Sequence, residues 1–81
     1  MLSKTNSITV GKYIFQPTKY DENDNLYCTL YRNGSHGLKC KLTLLYKFEE
    51  HSYEIIWTEH EWMNHKHKKM LNWILRQYDW I

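Results

Sequence analysis

The chain contains no alanine, one proline, three glycines and two cysteines among 81 residues. Each scarcity excludes something. With so little proline and glycine, a low-complexity linker is ruled out. Cys28 and Cys40 are too far apart for a CxxC metal pair and too few for a disulfide scaffold. They read as reduced, small apolar side chains. Charge of one sign is missing too: 11 basic against 9 acidic residues leave a net +2, too near balance to require a nucleic-acid partner by charge alone. No run approaches the ~18 apolar residues of a membrane helix, and no apolar segment follows Met1–Asn6 as in a secretion signal. A membrane partner is therefore not expected, and the expected location is cytoplasmic. There is no Gly-rich phosphate loop, no GxSxG and no thiol with a placed base, so neither an enzyme nor a cofactor is expected.

What the chain has is aromatic weight: four Trp, seven Tyr and two Phe, with 42% hydrophobic residues overall. This is a folding sequence of one domain spanning residues 1–81. The absence of alanine runs through a predicted helix where alanine is the best former, so it reflects the gene more than the fold. Gly, Ala, Arg and Pro together number 6, whereas Phe, Tyr, Ile, Asn and Lys number 30. The first group needs GC-rich codons and the second AT-rich ones, which points to an AT-rich genome such as that of a low-GC bacterium, its phages or its mobile elements.

The first 57 residues alternate. Ile8, Val10 and Ile14 share one parity over a strand predicted near 8–16, and Pro17 suits its edge or end. After the polar turn Asp21–Asn25, Leu26, Cys28 and Leu30 alternate with Tyr27, Thr29 and Tyr31 over a strand near 26–32. Asn33-Gly34 is the best hairpin signal. From 38 to 48, Leu38, Cys40, Leu42, Leu44, Tyr46 and Phe48 face one way, and Lys39, Lys41, Thr43 and Lys47 the other. A two-residue loop at Asn33-Gly34 puts the two apolar sets out of phase, so one extra residue is required, and Gly37 is the predicted bulge. Cys28 and Cys40 then become neighbours on the core face. A last strand near 53–57 buries Tyr53, Ile55 and Trp57 and turns Glu54 and Ile56 outward.

From Thr58 the period changes. Thr58-Glu59-His60-Glu61 has the form of a capping box, and no Pro or Gly follows, which predicts a helix over 59–79. Its apolar arc, which takes in Trp62, Met63, Met70, Leu71, Trp73, Ile74, Leu75, Tyr78, Trp80 and Ile81, spans about 220°, twice the ~100° that docking on one sheet demands. The predicted architecture is α+β, a four-stranded antiparallel β-meander packed against one long C-terminal helix, ββββα in two layers.

Two surfaces carry candidate function. The overflowing helix margin holds Trp62, Trp73 and Trp80 with Lys66, Lys69 and Arg76, the composition of a protein-binding hot spot. The second sheet face holds Tyr27, Tyr31, Lys39, Lys41 and Lys47, which suits stacking of single-stranded nucleic acid but equally an ordinary solvated face. His60, His65 and His67 lack the i, i+4 spacing that places two ligands on one helix face, so no metal site is expected. The resulting expectation is a small non-enzymatic inhibitor or modulator of a host or defence protein, for example a CRISPR effector nuclease, acting through the helix margin. Nucleic-acid binding through the sheet face is the alternative, and a homodimer closed by the apolar margin is compatible with either.

Overall fold

The computed structural model describes residues 6–80. It is α+β, with one antiparallel sheet and one C-terminal helix, in the order β1 (Ile8–Val10), β2 (Tyr13–Tyr20), β3 (Leu26–Gly34), β4 (Gly37–Lys47), β5 (Ser52–Thr58) and α1 (His65–Gln77). The strands pair strictly in sequence order, so every connection is a hairpin. Ile81 lies outside the described residues.

The sheet has five strands and not four. Where alternation predicts one strand over 8–16, Gly11 adopts φ +58° and reverses the chain, so that Val10 pairs with Tyr13 across a two-residue loop. This turn also swaps parity. Ile8 pairs with Phe15 and both are buried, whereas Ile14 pairs with Thr9 and Tyr31 on the opposite face. Because β1 is only three residues long, β2 has a free edge beyond it, and Pro17 sits there, where no donor is missed.

The β3–β4 hairpin turns two residues later than predicted. Gly34 pairs with Gly37, leaving Ser35-His36 as the loop. The extra residue that parity requires is present, but it is Lys41, since Tyr31 pairs with Cys40 and Leu30 with Leu42. Two assignments change in consequence. Leu38 and Cys40 lie on the face away from the core, and Cys28 pairs with Leu44 and Pro17, far from Cys40 in register. A second bulge at Ile56 separates the pairs Leu44–Ile55 and Thr43–Trp57. It moves Trp57 from the predicted inner face to the outer one, alongside Thr43.

The helix is shorter than predicted, 65–77 and not 59–79. Thr58 is still the end of β5, and its hydroxyl donates to the Lys41 carbonyl at 3.4 Å. The chain then turns, with the Trp62 N–H donating to the Glu59 carbonyl at 3.0 Å and Glu61 at φ +55°. Asn64 is the true N-cap, its side-chain oxygen accepting from the His67 N–H at 3.0 Å. At the other end Asp79 takes φ +62°, the Asp79 N–H donates to the Arg76 carbonyl and the Trp80 N–H to the Leu75 carbonyl. This is a Schellman turn with aspartate where glycine is usual, and it folds Trp80 back over Leu75.

The core lies between the sheet and α1. Phe15, Leu26, Cys28, Leu30, Leu42, Leu44 and Tyr46 from the strands meet Leu71, Ile74, Leu75 and Tyr78. At about 25 cal/mol per Å² of apolar surface removed from water, it is this layer that holds a helix of little more than three turns, too short to persist alone.

Candidate functional site

The shortened helix separates the three tryptophans of the predicted margin. Only Trp73 belongs to α1. Trp62 precedes it and Trp80 follows it, so no common helical stripe exists. Trp80 is 4% exposed, stacked on Tyr46 and on Tyr78 with ring centroids 4.5 Å away in each case, and its carbonyl accepts from the Tyr46 hydroxyl and, at 3.0 Å, from His51 Nδ1. It is a core residue and not a docking anchor. Trp62 is half-buried. His67 stacks on it with centroids 4.0 Å apart, and Tyr13 packs beside both. His67 Nδ1 lies 2.6 Å from the Trp62 carbonyl and so donates to it, and its Nε2 lies 3.4 Å from the Tyr13 hydroxyl. This cluster locks the 59–64 turn onto the sheet.

Trp73 is different: it is 50% exposed. Lys66, Lys69 and Arg76 lie seven and four residues before it and three after it, spacings that bring all three to the same helix face, and all three are exposed. No Asp or Glu occurs between His65 and Gln77, so nothing on the helix neutralises these cations. The apolar anchor and the basic stripe come from one geometric fact, the 3.6-residue period.

The outer face of the sheet, away from α1, carries Tyr27 and Tyr31 as predicted, but the three lysines do not form a basic field beside them. Lys39 pairs with Arg32 on the helix side, because the Lys41 bulge shifts the first half of β4 by one residue. Lys41 is mostly buried and its ammonium lies 2.8 Å from a Glu59 carboxylate oxygen. Lys47 lies 3.3 Å from Glu54. On this face Leu45 is buried beside Glu54, and Lys19 lies over the Tyr27 ring at 5.7 Å.

Sequence reasoning missed the most apolar exposed segment. Ile55, Ile56 and Trp57 are all exposed on β5, an edge strand, and Leu38 is exposed near the β3–β4 turn. The signal was present: three consecutive apolar residues break alternation, so at least one had to face water. Of the three histidines placed on one helix by the sequence, His60 lies in the turn before α1; His60 and His65 are exposed and His67 is engaged with Trp62.

Charge is segregated along the strands. The turns 21–25 and 48–51 share one end of the sheet and carry Asp21, Glu22, Asp24, Glu49 and Glu50, of which Asp24, Glu49 and Glu50, with Lys47, line an open concavity of about 380 Å³. The opposite end carries Lys12 in the β1–β2 turn, Arg32 near the end of β3 and Lys39 near the start of β4. Cys28 is fully buried and desolvation pushes its thiol up to about 12, so it is inert as a nucleophile at neutral pH. No helix is long and apolar enough to cross a membrane among the described residues. No protein-family model, curated protein or solved structure matches the chain.

Proposed function

We propose that the protein is a non-enzymatic binding module, an inhibitor or modulator that docks on a host or defence protein with the exposed face of α1. The observation that carries this reading is Trp73, half exposed on α1 in one stripe with Lys66, Lys69 and Arg76 and without a single helix carboxylate. Tryptophan and arginine dominate binding hot spots because a large flat side chain gains much contact area for little entropy, and water exclusion strengthens the surrounding charge pairs. The partner surface that fits is an apolar notch with an acidic rim. The AT-rich coding bias supports a phage or mobile-element gene, for which a host defence protein such as a CRISPR effector nuclease is the natural class of target.

The test begins with affinity purification from a low-GC host and mass spectrometry, followed by calorimetry on the identified partner. Trp73→Ala is expected to weaken binding by about 2 kcal/mol or more, and Lys69→Glu with Arg76→Glu to slow association. Unchanged affinity for folded Trp73→Ala would remove the reading. The nucleic-acid alternative retains Tyr27 and Tyr31 but has its lysines paired or turned away, so it has less support. It requires binding whose log–log salt slope reaches ~0.7 per phosphate contact.

A further inference from the structure

The end of the sheet that holds the Ser35-His36 loop opposes two like charges. Arg32 and Lys39 face each other in register across β3 and β4, an arrangement that costs stability unless something anionic lies between them. Among the described residues no carboxylate forms an ion pair with either. Lys41, thrown out of register by the bulge, lines the same concavity of about 130 Å³, and Glu59 alone offsets the three cations. The guanidinium lies against the turn: a Cβ on Gly34 would stand 3.1 Å from Arg32 Nη1. Gly37, at φ +93°, closes the loop and leaves Ser35 and His36 outside the strand ladder.

We infer that this concavity is a phosphate-binding site. The planar guanidinium offers two parallel N–H donors to two phosphate oxygens, and the Lys39 ammonium approaches a third as a point charge. A phosphate monoester, which carries between one and a half and two negative charges at neutral pH, matches three cations offset by one carboxylate better than a singly charged phosphodiester does. The space admits the phosphate group itself and leaves any attached moiety in solvent. The site is independent of the α1 face, and the ligand is either free inorganic phosphate or a small ester such as a nucleoside monophosphate.

Amide-resolved NMR titration of the whole chain with inorganic phosphate at pH 8, against sodium chloride at matched ionic strength, tests this. Saturable shifts confined to residues 32–41 are expected. Arg32→Ala and Lys39→Gln should each weaken binding at least tenfold and Arg32→Lys less, with unchanged spectra elsewhere reporting an intact fold. Tighter binding of adenosine monophosphate than of phosphate assigns the ester as ligand, and equal binding assigns the free anion. Equivalent shifts with chloride, wild-type affinity in both Arg32→Ala and Lys39→Gln, or shifts centred on Lys66, Lys69 and Arg76 would overturn the site.

Discussion

Trp80 and Trp73 lie seven residues apart in a chain segment of uniform appearance, yet one is sealed in the core and the other stands half in water. The difference is backbone, not hydrophobicity. Trp73 is inside α1 and takes whatever direction the helical period gives it, whereas Trp80 follows a turn that redirects the chain onto Tyr46, Phe48 and Tyr78. A helical wheel assumes one continuous axis, and it places both residues on one margin only because it continues the helix past its real end.

The widest way to test that contrast is to truncate both. Trp80→Ala should cost about 3–5 kcal/mol, the usual loss for deleting a large buried aromatic, whereas Trp73→Ala should remain within about 0.5 kcal/mol of the native protein. Urea denaturation followed by circular dichroism measures both. Equal losses would mean that Trp73 is also structural and would take away the anchor of the proposed interface.

The same core predicts an alkaline transition. The Cys28 thiol, ordinarily near 9.0, is raised to about 12 by burial, and Tyr78 is raised to about 12 chiefly by burial, with a smaller repulsion from Cys28. Both groups keep their protons when folded at a pH where the unfolded chain has released them. Their stabilising effect is therefore complete below pH 9 and is lost as pH rises through 9 towards 12. From pH 8 to pH 10 the thiol alone should remove about 1.4 kcal/mol. Cys28→Ala should lower stability at pH 8 but flatten the decline between pH 8 and 10. An unchanged slope would show that the thiol ionises freely in the folded protein. With a thiol reagent at neutral pH, Cys40, which is only partly buried, should react while Cys28 waits for denaturant.

How far the fold was legible follows from which signals are local. The positions of β3, β4 and β5, the meander order, the need for one bulge between β3 and β4, and the apolar set Leu71, Ile74, Leu75 and Tyr78 all follow from residue periodicity. Turn geometry does not. Gly11 reads as an unremarkable strand glycine until its φ of +58° splits the first strand. The capping-box pattern at Thr58 competes with a second polar residue, Asn64, six positions on, and periodicity is blind to which one wins, because Trp62 and Met63 fit the apolar set from either start. Of the predicted site, Trp73, Lys66, Lys69 and Arg76 come together because they share one real helix. Trp62 and Trp80 do not, because they lie beyond its ends. Lys39, Lys41 and Lys47 scatter because a single bulged residue changes which side each one faces.

The two candidate N-caps can be separated directly. Asn64→Ala should destabilise by about 1 kcal/mol and reduce helical signal near the transition. Thr58→Ala removes only the weak 3.4 Å bonds at the strand end and should cost about half of that or less. The reverse ranking would restore a helix beginning at 59.

The smallest effect bears on the turn that separates Trp80 from Trp73. Asp79 occupies a left-handed conformation that costs an L-residue about 1–2 kcal/mol, less for aspartate than for most. It also places a negative charge at the helix C-terminus, where the dipole disfavours one, and it adds to the burial that raises the Tyr46 hydroxyl. Asp79→Gly relieves the strain and removes the charge, but it loosens the unfolded chain, so a net gain of about 0.5 kcal/mol is expected. Asp79→Val, whose β-branch resists positive φ, should instead lose more than about 1 kcal/mol and weaken the near-ultraviolet signal of Trp80 stacked on Tyr46 and Tyr78. If glycine were destabilising and valine neutral, the turn would not be what steers Trp80 inward, and the contrast with Trp73 would need a cause outside the backbone.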